Sequence, residues 1–214
     1  MIERTIATTT HGRFVVAPAS RSPAPLLVGF HGYAEPAEAM LERLRSIPAA
    51  ERWLRVSIQG LNRFYQRRTG EVIAGWMTRQ DRELAIADNL AYVAAVLDAV
   101  SREWPTTAPT IFSGFSQGVA MAFRAAAAAG ANGVIAAGGD VPPEISRDRL
   151  AAVESALLCR GTRDEWYTAK TFAADRQRLS DSGVTVTTLE FDGGHEWSGD
   201  VIAAASRFLE GHIA

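Results

Sequence analysis

The sequence has a single cysteine, Cys159, so no disulfide can form within the chain. Its setting, Ala156-Leu157-Leu158-Cys159, predicts a buried strand in which the thiol serves as a small hydrophobe. An excess of one charge is also missing. The 22 basic and 24 acidic residues leave a net charge of −2, which removes the electrostatic ground for a nucleic-acid partner. Lysine is almost absent, Lys170 being the only one. No group of His, Cys and Asp has metal-ligand spacing, so no metal is expected. No apolar stretch approaches the roughly 20 residues of a membrane span. The start, Met1-Ile2-Glu3-Arg4-Thr5, lacks the basic and apolar runs of a secretory signal. A soluble, cytoplasmic protein without a membrane span is expected, and no oligomeric state is implied.

What the sequence does contain is enough apolar material for one core: 47% of 214 residues, which suits a single domain over residues 1–214. Apolar, β-prone runs alternate with helical patterns. Strands are expected at Arg13 to Ala17, Pro25 to Phe30, Trp53 to Ile58, Thr110 to Ser113, Gly133 to Ala137, Ala156 to Arg160 and Val184 to Phe191. Helices are expected at Glu35 to Ile47, Asp81 to Trp104, Val119 to Ala129, Arg163 to Ser182 and Trp197 to Leu209. In the second of these, Leu84, Ala87, Ala91, Ala94 and Leu97 recur at helical spacing and predict one buried stripe. Strands alternating with helices give an α/β fold: a mostly parallel central sheet with helices on both faces. The segment Gly60 to Thr78 reads as a long irregular loop.

Gly114-Phe115-Ser116-Gln117-Gly118 lies between the β-prone Pro109 to Phe112 and a helix former. A serine on a tight strand-to-helix turn is lifted clear of the sheet, and flanking glycines let the backbone bend there. The helix N-terminus behind it offers free N–H groups to a developing oxyanion. A serine hydroxyl also needs a base, and the base an orienting acid. In enzymes built on this turn they follow as Ser, then Asp or Glu, then His. His11 and His31 precede the serine and His212 stands at the terminus. That leaves His195, on the glycine-rich Asp192-Gly193-Gly194-His195 loop after the last strand, as the candidate base. Asp164, after the strand ending at Arg160, is the candidate acid. Glu165, Asp140 and Asp192 are its rivals, and capping of the following helix is its structural alternative. The oxyanion donors are expected to be the N–H groups of Gln117 and, from Phe30-His31-Gly32-Tyr33, of Tyr33. His31 is expected to support that loop.

The strand ending in Phe30-His31-Gly32, the Gly114 to Gly118 elbow with Gln117, the Gly161-x-x-Asp164 step and Gly194-His195 together resemble the phospholipase/carboxylesterase family of α/β-hydrolases. That family includes the acyl-protein thioesterases and small bacterial carboxylesterases. The resemblance runs from about Pro25 to Leu209. It implies an α/β-hydrolase fold without a large cap domain, no cofactor, and hydrolysis of small-molecule esters or thioesters. The sequence departs from the family in two places. Val119 stands where a second glycine usually follows the elbow, and Glu165-Trp166-Tyr167 stands where Val-Pro often follows the acid. Gly32-Tyr33 replaces the three consecutive glycines of hormone-sensitive-lipase-type enzymes.

On the substrate side, Trp76, Phe64, Tyr65 and Trp166 are expected to line an apolar pocket, with Tyr33 and Trp197 as further candidates. Arg63, Arg67 and Arg68 have the chemistry to grip an anion or simply to face solvent. The alternatives to an ester hydrolase are a peptidase or C–C hydrolase on the same scaffold, or a binding protein that retains the fold.

Overall fold

Leu26, Val28 and Phe30 project from one face of their strand and Leu27 from the other, and all four are buried. Such two-sided burial requires a layer on each face of the sheet. The computed structural model, which describes residues 1–213, supplies both. In chain order its elements are β1 (Arg13–Ala17), β2 (Ala24–Phe30), α1 (Ala37–Ser46), a short 3-10 helix (Pro48–Arg52), β3 (Leu54–Gln59), β4 (Asn62–Tyr65), β5 (Val72–Gly75) and α2 (Arg82–Glu103). Next come β6 (Thr106–Phe115), α3 (Gln117–Ala129), β7 (Gly133–Ala137), α4 (Arg147–Leu150), β8 (Ser155–Gly161), α5 (Ala169–Asp181), β9 (Thr185–Phe191) and α6 (Gly199–Glu210). Seven strands form the main sheet in the order β1-β3-β2-β6-β7-β8-β9. Only β1 is antiparallel to its neighbour. Met40 and Leu44 of α1 and Val201, Ala205 and Leu209 of α6 pack against Leu27, Ile111, Ile135 and Leu157. Residues of α2, α3 and α5 cover the other face, over Val28, Phe30, Phe112, Val134 and Leu158.

This order fixes where chemistry can occur. The chain leaves β2 for β3 on one side and later returns to β6 on the other, so β2 and β6 flank a topological switch point. Ligands of open α/β sheets bind outside the carboxyl ends of the strands at such a point. Because β2, β6, β8 and β9 run parallel, the loops carrying Tyr33, Ser116, Asp164 and His195 all emerge at that same edge.

Four expectations need correction. Residues 60–78 are not irregular: β4 and β5 pair as an antiparallel hairpin. Every residue of β4 is exposed, so no alternation of burial marked it in the sequence. The helix expected from Arg163 begins only at Ala169, where Thr168 caps it by accepting the Thr171 N–H. Residues 163–168 instead wrap the Asp164 carboxylate, whose bonds to backbone N–H groups compete with helix formation.

The buried stripe of α2 is also a different one. Asn89, Val93, Val96 and Val100 face the core, while Leu84, Ala87, Ala91 and Ala94 are exposed. This helix is alanine-rich all round, so periodicity had no polar face to read, and the larger β-branched residues took the core side. By length and composition alone it is long and apolar enough to cross a membrane, contrary to expectation. Cys159 lies in β8, fully buried, and burial pushes its thiol up to about 12.

Asp175 of α5 is buried beneath the loop after β7. It accepts the Val141 N–H at 3.0 Å and the Tyr167 hydroxyl at 3.1 Å. Burial, with the nearby Asp140 charge adding to it, pushes its carboxyl from 3.8 up to about 6. The folded state therefore holds this proton more tightly than the unfolded chain. The resulting stabilisation is complete below the unfolded value and is lost as pH rises through about 6. Asp175→Asn should remove a pH-dependent loss on the order of 1–3 kcal/mol. Urea unfolding at pH 4 and pH 7.5 checks this: the variant should gain on the parent at the higher pH. An equal change with pH in both proteins would contradict it.

Candidate active site

Ser116 stands between β6 and α3 at φ 53° and ψ −121°, a left-handed conformation that is strained for any residue but glycine. The strain is held by its surroundings. The Ser116 N–H donates to Ala137 O at 2.9 Å, and its carbonyl accepts from Val119 N–H at 3.0 Å. The flanking glycines are required by close approach. A Cβ on Gly114 would lie 2.5 Å from the Gly118 carbonyl, and one on Gly118 would lie 2.0 Å from the Phe30 carbonyl. Val119, the departure in the elbow, is fully buried. Its space comes from Gly139, where a Cβ would meet Val119 Cβ at 2.7 Å and the Ser116 carbonyl at 2.4 Å. The glycine missing after the elbow is thus replaced by one on the neighbouring loop.

His195 joins Ser116 and Asp164. Its Nε2 is 2.9 Å from Ser116 Oγ and its Nδ1 is 2.9 Å from Asp164 Oδ2. A carboxylate only accepts, so Nδ1 carries the proton and Nε2 is left to accept from the serine hydroxyl. The side chain of Asp164 is 1% exposed. Its other oxygen accepts the N–H groups of Trp166 and Tyr167 at 2.9 and 3.0 Å. The segment that departs from the family pattern therefore serves the carboxylate through its backbone. The two loops also hold each other. Arg163 N–H donates to Gly193 O at 2.9 Å, and a Cβ on Gly161 would lie 2.2 Å from Gly194 O. The rival acids stand elsewhere: Asp192 is exposed and pairs with Arg163, and Asp140 and Glu165 are exposed.

Several polar groups of the 31–35 loop are paired within the protein. Gly32 N–H donates to Glu35 Oε2 at 2.8 Å, and Ala34 N–H to Ala74 O at 2.9 Å. The carbonyls of His31, Gly32 and Glu35 accept from the Trp76 indole, the His31 ring and Ala74 N–H. Among the described residues, no acceptor meets Tyr33 N–H. Gln117 is the first residue of α3, where an N–H has no intrahelical partner. The His31 ring, stacked 5.1 Å from Trp76, also accepts Gly60 N–H at 2.9 Å. Burial lowers its pKa and keeps it neutral for that task.

The Gln117 side chain has a role that its place in the motif did not reveal. Its Oε1 accepts Trp76 N–H at 2.8 Å and its Nε2 donates to Met77 O at 3.3 Å, tying the end of the hairpin to the elbow.

A cleft of about 470 Å³ opens over Ser116, lined by Gly32, Tyr33, Glu35, Phe115, Trp166 and His195. Of the four residues expected to line the pocket, only Trp166 does so, at 84% exposure. Trp76 is fully buried against Phe30 and His31, because its indole N–H finds an acceptor only inside. The Phe64 ring meets that of Tyr33 in a tilted contact, 5.7 Å between centroids, and Tyr65 projects from the hairpin into solvent. Trp197 packs on Phe115 and lines an adjoining groove. Arg63 donates to the His11 carbonyl, away from the cleft, and Arg67 and Arg68 are exposed. Sequence reasoning missed Phe115, whose ring lies 5.2 Å from that of His195, and the Glu35–Arg43 pair beside it. Phe115 is the variable position of the elbow motif and was the one available signal.

A model of the Phospholipase/Carboxylesterase family matches residues 11–213. Acyl-protein thioesterase 2 of Zea mays is similar at a TM-score of 0.75 and 17% identity, over 95% of this chain and 100% of that one. A carboxylesterase of Mesorhizobium loti gives 0.74 and 18%, over 94% and 95%. The carboxylesterase of Bacillus cereus gives 0.70 and 16%, over 94% of each chain. At these identities the likeness establishes the fold. No curated protein sequence matches the chain.

The 2.0 Å approach at Gly118 is to backbone, which cannot swing away. Gly118→Ala should therefore cost at least about 3 kcal/mol, the upper part of the usual overpacking range. Thermal unfolding of the variant measures it, and an unchanged midpoint would contradict the packing described.

Proposed function

This chain belongs to the phospholipase/carboxylesterase family of α/β-hydrolases, and on that premise we propose that it is a serine hydrolase that cleaves carboxylic esters or thioesters of small molecules. The observation that carries the proposal is the continuous hydrogen-bonded run from Ser116 Oγ through His195 to Asp164 Oδ2, with both contacts at 2.9 Å. In the proposed reaction, Ser116 Oγ attacks the acyl carbon while His195 Nε2 takes its proton. The tetrahedral oxyanion is received by the N–H groups of Tyr33 and Gln117. His195 then returns the proton to the departing alcohol or thiol, leaving an acyl-enzyme. Water repeats the sequence and releases the acid. Asp164 keeps the imidazole in the required tautomer and stabilises its charged form. Its burial and its two backbone donors support that role, since they hold the carboxylate rigidly. The chain supplies nucleophile, base and acid, so the reaction as written draws on no cofactor.

The cleft supports an apolar acyl group. Phe115, Tyr33 and Trp166 line it, and Phe64 backs the Tyr33 ring. Trp76 takes no part in binding in this reading. It fills the space beneath the cleft, so the acyl group lies along a surface cleft rather than in a deep tunnel.

Turnover of p-nitrophenyl esters by three variants tests the assignment. Ser116→Ala should lose about 10⁶ in kcat and all labelling by a fluorophosphonate probe. Asp164→Asn should lose about 10⁴, and Asp140→Asn little. Substantial turnover by a folded Ser116→Ala protein would sink the proposal, and reversal of the two aspartate effects would move the acid to the loop after β7.

A further inference from the structure

Among the described residues that line the cleft over Ser116, Glu35 is the one carboxylate. It is engaged on three sides. Arg43 of α1 donates to its two oxygens at 2.7 and 2.6 Å, and Oε2 also accepts the Gly32 N–H at 2.8 Å. Its backbone is bridged to Ala74 of β5. The Arg43 guanidinium in turn lies 4.2 Å from the centre of the Phe115 ring, which contacts His195. Burial alone would push the Glu35 carboxyl up. The Arg43 hydrogen bonds and charge, with the Gly32 N–H, outweigh it and hold the group below the usual carboxylate range.

Next to Gly32 stands Tyr33, whose N–H is free, and then Ala34, whose φ of 60° turns the chain. A loop with a left-handed alanine does not hold its shape unaided, because that conformation costs on the order of 1–3 kcal/mol. Two clamps oppose it: the Ala34–Ala74 bond on the hairpin side and the Gly32–Glu35 bond on the α1 side. A bare carboxylate at this point would oppose negative charge developing over Ser116. Arg43 supplies the compensating charge.

We propose that Glu35, neutralised and oriented by Arg43, is a positioning residue that sets the Gly32–Tyr33 peptide so that Tyr33 N–H faces the developing oxyanion. The proposal rests on the serine-hydrolase reading and adds to it a requirement for a hydrogen-bond acceptor at residue 35, with a cation at residue 43 when that acceptor is a charged carboxylate. Glu35 touches neither substrate nor reacting atoms in this role. Its loss should appear in the transition state and not in ground-state binding.

The test is steady-state kinetics on an ester, together with the affinity of an alkyl boronic acid, which adds to a nucleophilic serine and resembles the tetrahedral state. Glu35→Leu should lower kcat by about 10- to 100-fold, less than the full 10²–10³ worth of a missing oxyanion donor. KM should stay within about threefold, and boronic-acid affinity should fall in step with kcat. Glu35→Gln, whose amide oxygen can still accept from Gly32, should keep most of the activity. Arg43→Met should lower kcat by exposing the carboxylate charge, and Glu35→Gln combined with Arg43→Met should recover part of that loss.

The Gln and Met variants keep the test alive if Glu35→Leu does not fold. A rise in KM at constant kcat, a Glu35→Gln enzyme as poor as Glu35→Leu, or a double variant no better than Arg43→Met would each overturn the proposal. Failure of the underlying reading is separately visible: there the parent enzyme's turnover would survive Ser116→Ala.

Discussion

The contact on which the site depends is between two backbones. The first turn of α3 runs so close to the end of β2 that only glycine fits at position 118, with the Phe30 carbonyl 2.0 Å from where a Cβ would stand. This brings the N-terminus of α3 close to the 31–35 loop, which is what the proposed pair of oxyanion donors requires. It also supports the strained Ser116 conformation at φ 53°, which a looser turn would relax. Substitution of Val119 for glycine leaves this approach intact, because Gly139 on the neighbouring strand's loop provides the room.

Around that contact the polar groups are almost fully committed. His31, Trp76, Gln117 and Ala74 take up the hydrogen-bonding groups that could compete for a substrate oxygen, and each also ties one element to another. Gln117 joins the elbow to the hairpin, and Trp76 joins the hairpin to the β2 loop. On the other side, Asp164 is satisfied by its own loop, which is itself fixed where Arg160 donates to the Tyr167 carbonyl at 2.8 Å. A buried polar network that is satisfied in this way is rigid, and rigid donors need no reorganisation when charge develops.

The sheet and the site core were legible in the sequence because both rest on local signals. Continuous apolar runs marked β2, β7 and β8, and glycines at fixed offsets from Ser116, Asp164 and His195 marked the three loops. Features that depend on tertiary choice were not legible. In α2, alanine on every face hid which side would be buried. In β4 full exposure removed the alternation that identifies a strand. Trp76 illustrates the limit best: an indole in a loop near the site reads as a substrate contact until its N–H is seen to be spent on the His31 carbonyl. Glu35 and Arg43 lie eight residues apart across a helix start, a spacing with no periodic signature, so only the fold brings them together.

In the proposed reaction Ser116 carries the acyl group between two half-reactions. Rapid quenching of the enzyme with an activated ester, followed by mass spectrometry of the intact chain and of its peptides, examines it directly. A transient mass increase equal to the acyl group is expected, confined to the peptide containing Ser116 and absent from Ser116→Ala. An enzyme that turns over the ester with no acyl adduct at early times, or with the adduct on another residue, would contradict it.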